Sequence, residues 1–178
     1  MAKQTQIKVD LSGLNDLIKS FGKDHYTKVG ILGGKAAEKH KKAETTILKS
    51  GKSVRHAGHE DSPFTNAEIA VVHEFGSVNR GIPQRSFLRM PIEFKKRDLI
   101  RFLGSSKIKE LFEAGEIKNI FKYLGVEAEN IIRDAFHSRG FGQWALNSAA
   151  TIKMKGSDSP LIDTSQLQRA VSSTVVSR

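Results

Sequence analysis

Apolar positions recur most regularly past the middle of the chain, at Ile117, Ile120, Phe121, Leu124, Ala128, Ile131, Ile132 and Ala135. Intervals of three and four place these residues on one stripe of a helix. Gly140 closes the run, and Gly125 within it costs about 1 kcal/mol relative to alanine. The stripe predicts a long helix packed across a sheet. Alternation supplies the strands. Ile7, Val9 and Leu11 predict a short opening strand, Tyr26–Gly33 a strand ending in the Gly33-Gly34 turn, and Val171–Val176 a closing strand placed to pair with it. No Lys-Ser or Lys-Thr pair follows Gly33-Gly34 at the spacing a phosphate loop requires, so this doublet is read as a turn. Shorter helices are predicted after Ser12 (Leu14, Leu17, Ile18, Phe21), from Pro91 to Leu103, and from Ser106 to Phe112. A last one runs through Leu167 and Ala170 with Asp163 or Thr164 as its cap, after the turn-rich stretch that ends at Pro160. Residues 156–178 thus read as a C-terminal helix plus a closing strand. The fold class is α+β: a small mixed or antiparallel sheet, a long amphipathic helix across one face, and a long basic loop.

The densest local signals lie between Pro63 and Glu93. Thr65 followed by Glu68 is a capping box, in which each side chain satisfies a backbone N–H at a helix start. Phe64 and Ile69 are spaced for a hydrophobic staple across it. Gly76 supplies the residue that ends the helix after Glu74. A glycine-punctuated loop follows, in which Pro83 biases Ile82 towards an extended backbone. Pro91 suits the first position of the next helix.

Charge changes the picture in one segment. The chain has 178 residues and a net charge of +10, from 29 basic and 19 acidic residues. Lys35, Lys39, Lys41, Lys42, Lys49, Lys52 and Arg55 outnumber Glu38 and Glu44, with few apolar residues between them. Such a stretch buries too little surface to offset its ordering entropy. Residues 35–62 are therefore expected to form a mobile basic loop or arm within a single domain spanning 1–178, ordering against an anionic partner. The chain contains no cysteine, so disulfides and thiolate metal sites are excluded. The N-terminus lacks the apolar core of a signal peptide. No apolar run approaches the roughly 20 residues that cross a bilayer. A protein of the cytoplasm, or of an assembly built there, is expected.

His73-Glu74-Phe75-Gly76-Ser77 and Ile82-Pro83-Gln84-Arg85-Ser86-Phe87-Leu88-Arg89 resemble the HEFG…IPaRpFLR signature of the tail-completion or neck proteins of long-tailed bacteriophages, including the Mu-type virion-morphogenesis family. A second block follows in order: Trp144-Ala145-Leu146-Asn147-Ser148, Thr151, Lys153, then Pro160-Leu161-Ile162-Asp163-Thr164-Ser165-Gln166-Leu167. It looks like the family's W..L...T…K…PLiDTGqL, with Ser165 where a glycine is usual. The resemblance covers roughly Val29 to Val176, with Gly34–Ser62 as an unmatched insertion. It implies a non-enzymatic virion protein that forms a homo-oligomeric ring, a hexamer, at the head-proximal end of the tail. Its neighbours would be head–tail connector and tail-tube proteins, with DNA in the channel as a further, sequence-independent contact. It also implies that the helix holding Glu74 packs beneath the Phe87-Leu88-Arg89 segment, with Glu74 gripping an arginine of the loop.

His56 and His59 beside Glu60 and Asp61 have metal-capable side chains, but no further ligand or orienting shell is evident. His73 and Glu74 are adjacent on a helix and so point about 100° apart, which does not make one acid–base site. No nucleophile motif is present, and neither catalysis nor a cofactor is expected. Arg80, Arg85 and Arg89 suit either DNA phosphates or carboxylates on a protein neighbour. With Lys39, Lys41, Lys42, Lys49, Lys52, Arg55, Phe87 and Trp144 they form the expected interaction set. Phe87 favours burial over base stacking, and Trp144 is read either as a core plug or as an anchor between subunits. The alternative function is a nucleic-acid-binding protein that uses residues 35–55.

Overall fold

The computed structural model describes residues 25–177. The expected opening strand at Ile7–Leu11 and the helix after Ser12 lie outside the described residues. Strand β1 (His25–Ile31) pairs antiparallel with β4 (Val171–Ser177), from His25 opposite Ser177 to Ile31 opposite Val171. Alternation predicted this pair across almost the whole length of the chain.

The long helix α6 (Ile117–His137) lies across the β1–β4 sheet and buries Ile117, Ala128, Ile131, Ile132, Ala135 and Phe136. Gly125 proves to be a fitting point and not a weakness. A Cβ there would stand 2.6 Å from Ser173 Oγ and 3.0 Å from Thr27 Cγ2, so its absence lets the helix backbone close on both strands. Thr27 Oγ1 donates to the Phe121 carbonyl at 2.7 Å. The core continues through Phe87, Trp144, Leu167 and Val171. Phe136 sits between two rings, meeting Phe87 edge-on at 5.5 Å and Trp144 at 5.8 Å.

The segment 35–62 departs from expectation. After a single turn, α1 (Gly34–Ala37), the chain forms a hairpin of β2 (Lys39–Ile47) and β3 (Ser53–Thr65), not a mobile loop. Its strands carry polar residues on both faces, so periodicity could not reveal them. Backbone pairing and cross-strand ion pairs hold them instead: Lys42 with Glu60 at 2.8 Å, and Lys41 with Asp61. Two register shifts bend the pair near Lys41, as bulges do. Gly51, with φ 78°, closes the tip as its N–H donates to the Leu48 carbonyl.

Helix α2 (Asn66–Phe75) opens with the predicted capping box: Thr65 Oγ1 accepts from Glu68 N–H at 3.2 Å, and Glu68 Oε2 from Thr65 N–H at 2.7 Å. Phe64 stays exposed with the Arg80 guanidinium 5.8 Å from its ring centre, while Ile69 packs on the core. The helix predicted from Pro91 to Leu103 divides at Lys95 into α3 (Arg89–Phe94) and α4 (Lys96–Leu103). At the break Phe94 stacks on Phe141 at 5.0 Å, and Lys95 pairs with Asp98 in the first turn of α4 at 3.1 Å. Helix α5 (Ser106–Glu113) leads into α6. Helices α7 (Ala149–Lys155) and α8 (Gln166–Ala170) complete the chain before β4. Neither Asp163 nor Thr164 caps α8; Ser165 occupies that position with φ 60°. Asp163 is taken by Arg55, and Thr164 Oγ1 accepts from Gln166 Nε2 at 2.7 Å.

Candidate functional site

The two motif blocks meet in one buried network centred on Glu74. Its Oε1 accepts from Ser86 Oγ at 2.6 Å and Arg89 N–H at 3.3 Å, and its Oε2 from the N–H groups of Phe87 at 2.8 Å and Leu88 at 2.9 Å. Ser86 Oγ in turn accepts from Met90 N–H at 3.0 Å. The first N–H groups of a helix have no partner within it. Here Glu74 and Ser86 satisfy those of Arg89 and Met90, and Pro91 has none to satisfy. That is why α3 begins ahead of Pro91, which becomes its third residue and not its first. Glu74 therefore grips the backbone of the Phe87–Arg89 segment, and not an arginine of the loop as the resemblance implied. Gly76 ends α2 with φ 75°, and a Cβ there would lie 2.8 Å from Gln84 N, so the loop folds back tightly on the helix end.

Arg85 reaches from the first block to the second. Its Nε donates to the Ala145 carbonyl at 2.8 Å, and its Nη2 to the Leu146 carbonyl at 2.9 Å and Asn147 Oδ1 at 3.4 Å. Trp144 Nε1 donates to the Ser86 carbonyl at 3.1 Å. Arg85, Phe87 and Trp144 are buried, which corrects their place in the expected interaction set. Phe87 and Trp144 hold the fold from within, Trp144 as a core plug, while Arg85 both ties the two blocks together and lines a cleft. Pro160 is likewise fully buried. Arg80 and Arg89 remain exposed, and so does Pro83.

Most of the basic residues on the hairpin are engaged at home. Lys39 Nζ donates to the Pro63 carbonyl at 2.8 Å; Lys41 and Lys42 pair with Asp61 and Glu60. Arg55 binds both oxygens of Asp163, at 2.6 and 2.9 Å, and this raises the guanidinium's already high pKa further. Gln166 holds β2 like a missing strand, accepting from Lys41 N–H at 2.8 Å and donating to its carbonyl at 3.0 Å. Lys49 and Lys52 sit on the exposed tip. The structure thus divides a basic stretch that looked uniform into a neutralised stem and a short cationic tip. His56 bonds to the Ala57 carbonyl through Nδ1 and to Thr46 Oγ1 through Nε2. Among the described residues no cluster of three or more His, Cys, Asp or Glu is placed to hold a metal ion, and no helix is long and apolar enough to cross a membrane.

Between α2, the 77–85 loop, α7 and residues 161–167 lies an open cleft of about 940 Å³. Its charged lining is Arg80, Arg85 and Lys155, set against Asp163, with His40 and His73 beside them. Burial drives His73 down to about 4, helped by the charges of Arg85 and Lys155, so the ring is neutral at pH 7. Burial also lowers Arg85 and Lys155 from their usual values; for Lys155 the Asp163 carboxylate works in the opposite direction. His73 Nδ1 and Asn147 Nδ2 are buried at the cleft without a hydrogen-bond partner. The sequence reading passed over Lys155. One signal was present: Ser148, Thr151 and Lys155 recur at intervals of three and four, one face of a short helix. Compared with family models, curated proteins and solved structures, the chain matches none.

Proposed function

We propose that this chain is a non-enzymatic structural protein of a long-tailed phage virion, a tail-completion or neck component that forms a homo-oligomeric ring at the head–tail junction. The observation that carries the reading is the fate of the residues behind the resemblance. Glu74, Arg85, Ser86 and Trp144, drawn from both motif blocks, spend polar groups on the backbone of the two blocks inside the protein, and Phe87 is fully buried beside them. Residues used in this way preserve a shape, and shape is what a ring component contributes. The surface left over suits neighbours: among the described residues, two two-stranded sheets, and a hairpin tip on which Ile47, Leu48 and Val54 are exposed. Strand edges left without a partner among the described residues and exposed apolar side chains are features that proteins otherwise cover. In the proposed role the ring, a hexamer by the resemblance, assembles in the host cytoplasm and is retained in the virion between connector and tail tube.

Electron microscopy of a lysate from phage lacking this gene tests the role. Filled heads beside separate tails are expected. Abnormally long tails would move the assignment to length termination, and normally joined particles would overturn it.

A further inference from the structure

The cleft beside Arg85 has no part in the ring reading, and its chemistry is specific. We infer that it is a docking site for a short peptide segment of a partner protein, one that presents a carboxylate between apolar side chains. Three observations converge. First, Arg85 is buried yet all three hydrogen bonds of its guanidinium go to neutral oxygens. These bonds leave its Nη1 unused. A buried guanidinium is best matched by a carboxylate, and the cleft's own acid, Asp163, is committed to Arg55 through both oxygens. Second, Asn147 Nδ2 is a buried donor without a partner on the same wall. Its amide orientation is fixed because Oδ1 accepts from Arg85. An unmet buried donor costs stability, and a small turn of the Asn147 side chain would bring this one to an acceptor in the cleft. Lys155, across the cleft, adds a second positive charge.

Third, the rim is apolar. Val78 is 97% exposed and Leu146 69% exposed, with Ile69, Ile82 and Leu161 further in. Duplex DNA offers phosphates on a convex, hydrated surface and has nothing to lay on such a rim. A peptide offers both parts at once, an acidic group for the basic floor and apolar side chains for the walls. The volume of about 940 Å³ lies in the range of about 300–1,000 Å³ usual for ligand clefts. The site requires only the folded monomer, so it stands or falls apart from ring formation.

The test is fluorescence anisotropy with a fluorescein-labelled pentapeptide of alternating leucine and aspartate, against the full chain at neutral pH. Replacing its aspartates with asparagine is expected to weaken binding by about tenfold or more, the scale of a charge-assisted contact. Lys155→Met, which keeps the aliphatic stem and removes the charge, is expected to do the same. Where circular dichroism shows Lys155→Met misfolded, Arg80→Gln at the exposed rim takes its place. No binding, equal binding of the acidic and amide peptides, or affinity unmoved by the folded variant would each overturn the inference. So would a DNA duplex that displaces the peptide and itself loses affinity in that variant, which would give the cleft to nucleic acid.

Discussion

A single carboxylate, that of Glu74, receives one hydroxyl and three backbone N–H groups from Ser86 to Arg89. Glu74→Gln keeps one acceptor oxygen but turns an amide NH2 towards donors that need an acceptor. Hydrogen bonds to a charged group are worth about 1.5–3 kcal/mol, so the variant should lose about 2–4 kcal/mol in urea unfolding. A midpoint within error of the wild type would show that the hub only fills space. His73, one position earlier, makes the fold sensitive to acid. Above its ordinary value of 6.5 neither state carries the proton; on acidification the unfolded chain takes it up near 6.5 and the folded one only near 4. Stability due to His73 is therefore fully present above 6.5, falls between 6.5 and 4, and levels off below. The span corresponds to about 3 kcal/mol. His73→Leu should flatten this part of a melting-temperature profile against pH, and parallel profiles would remove His73 as the cause. Residues of this kind were unequally legible. Thr65 and Glu68 are three positions apart, and sequence shows their capping box directly. The partners of Glu74 lie 12 to 15 residues away, and only the folded loop brings them together.

Elements were readable where burial imposed a period. The stripe on α6 and the β1–β4 pair emerged from spacing because each has one face on the core. The β2–β3 hairpin did not, since its residues alternate between polar and polar and its order comes from cross-strand pairs and from Gln166 and Arg55 docking on distant partners. Ser165 shows a subtler limit. Its φ of 60° is a conformation that favours glycine, which makes physical sense of the glycine usual in the resembling family, though the chain itself gives no warning of it. Gly125 ran the other way, because its sequence meaning was a defect and its structural meaning is a fit. Helix propensity alone predicts that Gly125→Ala gains about 1 kcal/mol. The added Cβ would lie 2.6 Å from Ser173 Oγ and 2.9 Å from Ser173 Cβ, and overpacking of this kind costs about 1–3 kcal/mol. The clash should win, lowering the melting temperature, with recovery in the double variant that adds Ser173→Gly. A melting temperature at or above the wild type in the single variant would mean that helix and sheet separate at little cost.

At the scale of the whole molecule, the question is what the surface is for. Glu74 is fully matched by its neighbours in the interior, while Ile47 at 72% exposure, Leu48 and Val54 are exposed on the two faces of a hairpin tip. A monomer gains nothing from three large apolar side chains held there, and the net charge of +10 already opposes close packing of like copies. In the proposed ring, assembly would draw on apolar contact more than on charge, and the tip is one place that offers it. Replacing Ile47 and Leu48 with serine and Val54 with threonine changes only exposed positions, so the monomer should unfold within about 0.5 kcal/mol of the wild type. Each apolar side chain fully covered in an interface contributes about 1.5–3 kcal/mol. Losing three, even partly covered, should weaken subunit association by about 100-fold or more. Sedimentation velocity at matched concentration reads both terms: a ring-sized species for the wild type and a folded monomer for the triple variant. If the variant sediments with the wild type as a ring, the tip points into solvent in the assembly and subunits meet through the strand edges instead. If both remain monomers at every concentration, the apolar tip awaits a different protein and self-assembly is not what it serves.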